Sequence, residues 1–330
     1  MKIKLLDVLC CPECGNKLKP ADNCEFGDCN DDVASGSLDC VACGKSYPII
    51  RGIPRFVGDG NYTRSFGYQW NKFSKTQLDE YLGIPLSEAR FADETRWPRS
   101  LKGQLVLEAG SGMGRFTRCA AVTGAEVFSF DYSMAIEANY NNNKQFTNVH
   151  FLQADICKPP FSRGAFDKVF CFGVLQHTPD PKKSFHSLLS MVKQNGDFVA
   201  DVYRKSWKTI FWGQYYLRVI TKKIPADRLF PIVEKYFNVI HGMTGLLLPI
   251  SSHFSKGVSL LFGTADYRGL YSIDREKMKE WCLLDTFDKL SPAFDIPQTL
   301  RDVNKWFDDI EVSSFEVKPG HNGIEIHVRR

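Results

Sequence analysis

Hydrophobic and polar residues recur with two different spacings between positions 105 and 203. Short runs of β-branched and aromatic residues predict strands, and longer stretches with apolar residues at helical spacing predict helices. The predicted strands cover residues 105–110, 126–131, 149–155, 166–173 and 196–203. The predicted helices cover residues 115–124, 133–146 and 181–196, the last of them capped by Asp180. This alternation indicates a parallel sheet with helices on both faces, which binds its ligands at the carboxyl ends of the strands.

The last part of the chain shows strand periodicity again. After a predicted helix over residues 299–309, two alternating runs within residues 310–330 are joined by a Pro-Gly-His-Asn-Gly loop, which is typical of a β-hairpin. Together with the five parallel strands, the hairpin predicts an α/β, Rossmann-like sheet of seven strands whose last strand is antiparallel.

An aromatic and basic segment at about residues 204–270 interrupts this order. It contains ten lysine and arginine residues against three acidic ones. Its position predicts an inserted helical cap over an acceptor pocket, and its charge favours an acidic or phosphorylated acceptor. The same composition also fits peripheral contact with an anionic membrane surface, RNA binding by stacking and phosphate contacts, or a solvated cap with a core-facing aromatic stripe. Residues 281–299, with three aspartates around two prolines, predict a loop at the pocket mouth.

The composition of the whole chain limits the classes of protein to which it can belong. The chain has 330 residues, of which 43% are hydrophobic, and a formal net charge of +4. This length allows one large or two unequal domains with a substantial core, and the small charge implies no general attraction to nucleic acid. No run approaches the roughly 20 apolar residues of a membrane-spanning helix, and the first apolar run is too short and too rich in cysteine for a signal peptide. We therefore expect a cytoplasmic protein without a transmembrane segment.

Cysteine is concentrated in a predicted N-terminal module, residues 1–60. Two Cys-x-x-Cys-Gly motifs supply Cys11, Cys14, Cys40 and Cys43. This spacing predicts one closed tetrahedral zinc site with a structural role. A disulfide framework is the alternative, but it requires an oxidising compartment.

The charge of this module argues against nucleic-acid recognition. It has seven basic and nine acidic residues. A small zinc-binding module that recognises nucleic acid is expected to present a basic face instead. We therefore expect a scaffold or a contact surface for a protein partner. Cys10, Cys24 and Cys29 lack the motif spacing, and their role stays open.

Residues 61–100 form a predicted helical connector or lid between this module and a domain at residues 101–330. The connector is aromatic and polar without a clear period, and then helical until Pro98. Gln69 and Trp70 are candidates to fold over a bound cofactor, and packing is their alternative role.

The loop after the first predicted strand of the sheet has glycine at every second position, at Gly110, Gly112 and Gly114. A dinucleotide fold usually has G-x-G-x-x-G and places a pyrophosphate at the helix N-terminus. Here Glu108 precedes the loop, and a carboxylate beside the ligand repels pyrophosphate but tolerates an ammonium or a sulfonium. Asp131 ends the second strand, where an acid can bind ribose hydroxyls, and Asp155 ends the third, where it can accept a hydrogen bond from an adenine amine. The three carboxylates suit S-adenosylmethionine.

These motifs resemble those of the class I S-adenosylmethionine-dependent methyltransferases. The resemblance covers roughly residues 100–203 and the final hairpin, through LVLEAGSGMGRF, VFSFDYS, FLQADI and FDKVFCFGVLQHTPDPKKSFHSLLSMVKQNGDF. It implies that the three glycines line the methionine part of the cofactor. It further implies contacts with the ribose from Asp131, with the adenine from Asp155 and Ile156, and with the amino group from the backbone near Phe172 and Gly173. Tyr132 is a further candidate for cofactor binding. The cysteine-rich module resembles small zinc ribbons that are fused to, or partner, methyltransferases.

The chemistry that this resemblance implies needs little acid or base. Methyl transfer is an in-line displacement at a carbon already activated by the sulfonium, so placement of the acceptor and exclusion of water provide most of the catalysis. His177, just beyond the fourth strand, is a candidate base, and ordering of its own loop is its alternative role. We expect a small-molecule or lipid-like acceptor. An RNA methyltransferase and a cofactor-binding, non-catalytic partner platform are the alternatives.

Overall fold

The cysteine-rich module folds as a small antiparallel sheet. The computed structural model describes residues 1–27, 32–58 and 60–330, so Cys29 lies outside the described residues. A 3₁₀ helix over Ile3–Asp7 precedes five strands: β1 Leu18–Pro20, β2 Glu25–Phe26, β3 Val33–Cys40, β4 Ser46–Ile50 and β5 Ile53–Pro54. The order is β1-β3-β4-β5, with β2 also paired to β3. Because Leu18 pairs with Cys40, the turn before β1 and the turn after β3 lie side by side.

The main sheet has seven strands. Three connector helices precede it: α1 Arg64–Lys72, α2 Asp79–Leu82 and α3 Leu86–Thr95. Its strands are β6 Leu105–Ala109, β7 Glu126–Asp131, β8 Val149–Gln153, β9 Phe166–Cys171, β10 Val192–Val202, β11 Ser314–Gly320 and β12 Gly323–Arg329. The order is β11-β12-β10-β9-β6-β7-β8. The last strand, β12, runs antiparallel to both neighbours and the other pairs are parallel, so the predicted seven-strand sheet is confirmed.

Helices connect these strands and cover the sheet. The helices between the parallel strands are α4 Arg115–Ala121, α5 Ile136–Asn143 and α6 Pro181–Leu189. Asp180 caps α6 as predicted, because its carboxylate accepts a hydrogen bond from the Lys183 N–H at 3.0 Å. The predicted extension of this helix to residue 196 is wrong, since β10 begins at Val192.

Further helices lie between β10 and β11. The last, short one packs on the core of the main sheet, and the others form an outer layer. A 3₁₀ helix over Trp207–Phe211 is followed by α7 Gly213–Thr221, α8 Ala226–Leu247, α9 Ser252–Leu261, α10 Arg275–Leu290 and α11 Leu300–Asn304, with a 3₁₀ turn at Lys305–Phe307. The loop predicted for residues 281–299 is therefore wrong over its first ten residues. Asp274 starts α10 by accepting hydrogen bonds from two backbone N–H groups, at 2.9 and 3.1 Å, and the prolines follow the helix instead of breaking it. No helix in the described ranges is both long enough and apolar enough to cross a bilayer.

The small sheet is docked on the edge of the main one. The Phe56 N–H donates to the Gln153 carbonyl on edge strand β8 at 2.8 Å, and the Cys10 N–H donates to the Pro160 carbonyl at 2.9 Å. Buried Arg55 forms an ion pair with buried Glu137 of α5. The two sheets therefore share one core, and the module covers an edge that would otherwise present unpaired backbone groups.

Candidate functional site

The turn between β6 and α4 requires glycine. Gly110 and Gly114 have φ angles of 77° and 88°, a left-handed conformation that other residues rarely adopt. A Cβ on Gly110 would lie 2.4 Å from a Val174 methyl, and one on Gly114 would lie 2.0 Å from the Asn139 side chain. The turn therefore packs closely on both sides and keeps its backbone bare.

Asp131, at the end of β7, fixes this turn. One carboxylate oxygen accepts a hydrogen bond from the Gly112 N–H at 2.9 Å, and the other accepts from the Ser133 N–H at 2.8 Å and hydroxyl at 2.7 Å. Burial raises the pKa of Asp131, although these hydrogen bonds oppose the shift. The carboxylate is thus held in one orientation, with lone pairs left for a ligand hydroxyl.

A cavity of about 660 Å³ opens at the carboxyl ends of the strands. It brings together most of the residues predicted to bind the cofactor: Trp70, Gly110, Gly112, Asp131, Tyr132, Ile156, Phe172 and Gly173, with His177 beside them. Ser111 also lines it, and its buried hydroxyl has no hydrogen-bond partner within the described ranges. A bare backbone turn, an oriented carboxylate and an unpaired hydroxyl fit a nucleoside with an amino-acid tail.

Glu108 does not line this cavity, which corrects the expectation that it lies beside the ligand. It is 2% exposed, and its carboxylate accepts hydrogen bonds from the hydroxyls of Thr117 on α4 and, at 2.7 Å, of Ser129 on β7. Burial raises the pKa of Glu108 to about 7. The acid therefore ties β6 to α4 and β7 behind the glycine turn.

Three other predicted residues lie next to the cavity and do not line it. Gly114 faces α5, where its carbonyl accepts a hydrogen bond from Asn143 at 2.9 Å. Asp155 is half-buried and accepts from the Cys157 N–H at 2.8 Å, and its charge adds to burial in raising the pKa of Tyr132. Gln69 is fully buried and donates to Asp288 of α10 at 3.0 Å, so it joins the connector to the outer helices.

His177 is held in a defined orientation. Its Nδ1–H donates to the Phe294 carbonyl, 3.0 Å away, and its ring packs against Phe66 and Tyr203 with centroid distances of 5.0 and 5.5 Å. In the neutral ring this tautomer leaves Nε2 as a proton acceptor.

Further charged residues line the cavity, one beside the glycine turn and others on α10. Burial raises the pKa of Asp285 to about 6 and lowers that of Lys289, both on α10. Burial, and then the charge of Arg90, lowers the pKa of Arg115 to about 10. Arg115 directly follows the glycine turn, and that position was its only signal. Asp285 lies in the segment that was predicted to form a loop at the pocket mouth, whereas Lys289 was missed because that segment was not recognised as a helix.

The four motif cysteines form a single cluster. Their sulfur atoms all lie within 4.8 Å of one another, with Cys11 to Cys43 at 3.7 Å and Cys14 to Cys40 at 3.4 Å. A tetrahedral zinc site with Zn–S bonds of ~2.3 Å has sulfur atoms ~3.8 Å apart. These residues therefore fit a closed structural zinc site, and Cys10 and Cys24 are not part of the cluster.

Replacing Cys14 with serine is expected to remove zinc and lower the melting temperature, because a three-thiolate site binds the ion less tightly and binding contributes to folding. Zinc content by mass spectrometry and thermal unfolding would measure this. Cys24→Ser is the matched control, since the Cys24 thiol donates only to the Ser37 carbonyl. Full zinc occupancy in Cys14→Ser, or an equal loss in Cys24→Ser, would contradict the assignment.

Replacing Glu108 with glutamine is expected to change how stability depends on pH. As pH rises from about 4.5 towards 7, Glu108 ionises in the unfolded chain before it ionises in the folded chain. The free energy of unfolding of the wild-type protein therefore falls by up to about 3 kcal/mol over this range, whereas that of Glu108→Gln does not fall for this reason. Chemical denaturation at pH 5 and pH 8 would measure the difference between the two proteins. Glu316→Gln, at an exposed residue, is the control, because its difference in unfolding free energy from the wild type should be the same at both pH values. If the difference for Glu108→Gln were also the same at both pH values, the folded-state pKa of Glu108 would not be raised.

Two family models match separate parts of the chain. One, described as a methyltransferase domain, matches residues 107–200, which include the glycine turn, Asp131 and His177. The other, described as Trm112p-like protein, matches residues 2–52, which include all four clustered cysteines.

Curated relatives match the region around the main sheet. A ubiquinone biosynthesis O-methyltransferase from Escherichia coli O6:H1 (strain CFT073) is 30% identical over 175 residues, which cover 48% of this chain and 72% of the relative. A protein of the same name from Coxiella burnetii (strain Dugway 5J108-111) is 26% identical over 129 residues, or 37% of this chain and 55% of the relative. A tRNA U34 carboxymethyltransferase from Ruthia magnifica subsp. Calyptogena magnifica is 30% identical over 128 residues, or 34% and 39%.

The chain thus spans about half the length of the Coxiella relative that it matches, and more of the E. coli one. The seven-strand sheet, the glycine turn and the matched domain agree with one another. The chain belongs to the S-adenosylmethionine-dependent methyltransferases and carries a Trm112-like module with a four-cysteine site in residues 2–52.

Proposed function

We propose that the protein transfers the methyl group of S-adenosylmethionine to a small or lipid-like acceptor. One observation carries the proposal: a single cavity is lined at one end by the glycine turn and at the other by aromatic residues of the outer helices. Its volume of about 660 Å³ lies within the range of small-molecule sites. The cofactor and a small acceptor can therefore share one enclosed space.

The chain's own residues would hold the cofactor. Asp131 would accept hydrogen bonds from the ribose, Ile156 and Tyr132 would pack on the adenine side, and the backbone of Gly110 and Gly112 would approach the amino-acid tail. When bound, S-adenosylmethionine supplies a methyl group on a positively charged sulfur. A lone pair of the acceptor would attack the methyl carbon in line with the carbon–sulfur bond, and the sulfur would leave as that bond breaks. The protein contributes alignment of the acceptor and exclusion of water.

We propose His177 as the base for a hydroxyl acceptor. The hydrogen bond from its Nδ1–H to the Phe294 carbonyl leaves Nε2 able to take the acceptor's proton as the new carbon–oxygen bond forms. His177 lines the same cavity as the glycine turn.

The charge of Arg115, which lines the cavity just after the glycine turn, supports an acceptor with an anionic or phenolic group. Arg115 lies over the Phe116 ring at 4.5 Å, and no carboxylate within the described ranges pairs with its guanidinium. The Asp285 carboxylate instead accepts hydrogen bonds from the Tyr267 hydroxyl at 2.7 Å and from the Gln77 side-chain amide at 3.1 Å. Three aromatic residues of the outer layer would pack against a ring or chain of the acceptor: Trp212 just before α7, Tyr267 between α9 and α10, and Trp281 on α10.

The Trm112-like module supports a scaffolding role within the chain. Ion pairs of Arg51 and Arg55 with Glu137 of α5, and one backbone hydrogen bond from Phe56 to β8 just after the matched residues, place it next to the strand that ends before Asp155 and Ile156. We propose that it stabilises the adenine side of the site, and that any protein partner binds its outer surface.

Methyl-tritiated S-adenosylmethionine, incubated with the protein and a fractionated cell extract, is expected to label the small-molecule fractions and to leave RNA unlabelled. His177→Asn retains a donor for the Phe294 carbonyl but lacks a base, so labelling should slow about 100-fold. Cofactor affinity, measured by calorimetry, and melting temperature should stay unchanged.

Label in RNA would instead support the RNA methyltransferase. Cofactor binding without label in any fraction would support the non-catalytic platform. An unchanged labelling rate in His177→Asn would leave this residue a structural role only.

A further inference from the structure

The outer helices expose an unusual amount of apolar surface. Among the described residues, sixteen of the twenty-one exposed large hydrophobic side chains lie between positions 207 and 271. The other five are scattered over the rest of the chain. A concentration of this kind indicates a surface that is covered during function.

Helix α8 shows the pattern most clearly. Its buried side chains, Leu229, Phe230, Val233, Phe237 and Ile240, form one stripe against the core. Its exposed side chains, Ile232, Val239, Met243 and Leu246, recur at spacings of seven, four and three and form a second stripe on another side of the helix. A helix that only caps a pocket needs the first stripe and has no use for the second.

The neighbouring helices extend the second stripe. Val219 and Ile220 of α7 are 62% and 68% exposed, and Phe254 and Leu261 of α9 are 61% and 60% exposed. Ile250, in the turn between α8 and α9, is 80% exposed. Helix α9 packs against both α7 and α8. We call these side chains the docking face: Val219, Ile220, Ile232, Val239, Met243, Leu246, Ile250, Phe254 and Leu261.

Basic residues accompany the docking face. Lys222, Lys223, Arg228 and Lys235 are exposed on the same helices or at their ends, against two exposed acids, Asp227 and Glu234. Lysine is depleted in protein–protein interfaces, whereas basic residues beside an apolar helix face are typical of interfacial helices on anionic membranes. The charge therefore favours an anionic lipid surface over a second protein.

The cavity reaches the same surface. Leu260, next to the docking face, is 39% exposed and Tyr271 is 36% exposed, and both also line the cavity. A molecule lying in the outer layer of a bilayer against this face would therefore meet the cavity entrance directly.

We propose that the docking face binds the surface of an anionic lipid bilayer, and that the cavity takes an amphipathic acceptor from that bilayer. Only the second part rests on the proposed methyl transfer. The apolar side chains would enter the interfacial region while the basic residues lie at the headgroups.

Vesicle co-sedimentation of the full-length, zinc-loaded protein tests the binding. The protein is expected to bind vesicles that contain phosphatidylglycerol, to bind pure phosphatidylcholine more weakly, and to lose binding as salt rises. Leu246→Glu and Ile250→Glu should each weaken binding about tenfold or more, because each places a carboxylate in the interface. Val122→Glu is the matched control, since Val122 is 65% exposed after α4 and should change nothing.

The remaining outcomes separate this proposal from the proposed function. Calorimetry with S-adenosylmethionine in the absence of vesicles should give the same affinity for Leu246→Glu and the wild type, which shows that the variant is folded. Absence of vesicle binding, or equal binding by Leu246→Glu, overturns the membrane proposal even when methyl transfer is intact. A wild-type dimer that Leu246→Glu dissociates, without vesicle binding, also overturns it in favour of a second copy of the chain.

Discussion

A short set of hydrogen bonds between the first two strands of the parallel set controls the site. The N–H groups of Gly110 and Ser111 both donate to the Phe130 carbonyl, and the Gly112 N–H donates to the next residue, Asp131. These bonds hold the turn after β6 against the end of β7. Because Gly110 and Gly112 have no side chains to fill the space in front of the turn, the cavity forms there, with a carboxylate at its edge.

The rest of the chain encloses this turn from three directions. Behind it, Glu108 joins β6 to α4 and β7 through hydroxyl groups. At the edge of the sheet, the Trm112-like module pairs with β8 and shares its core. In front, α1 and α10 are joined through Gln69 and Asp288, so that the outer helices close the cavity above the strand ends. Catalysis by alignment requires this enclosure, since the reaction itself needs few chemical groups.

The periodicity of the sequence was sufficient to predict the sheet but not the direction of individual side chains. Strands buried on both faces are apolar throughout, so nothing in the pattern around Glu108 shows whether it points to the ligand or to α4. Pro292 and Pro297 suggested a loop, although α10 ends just before them. Asp285 was therefore expected on a loop at the pocket mouth, and Lys289 was not recognised. The exposure of the second stripe of α8 was also not predictable, because the sequence does not show whether an apolar residue faces the core or the solvent. The cysteine cluster was predictable because metal-ligand spacing depends on local geometry.

The affinity of the product S-adenosylhomocysteine for Asp131→Ala, measured by calorimetry, tests the central claim most directly. Removing the carboxylate takes away both the anchor of the turn and the expected ribose contact, so binding should weaken at least about tenfold relative to the wild type. Asp197→Ala, which removes an acid paired with Lys168 and Arg329 away from the cavity, should bind like the wild type. Equal affinity in Asp131→Ala and Asp197→Ala would contradict the placement of the cofactor at this turn.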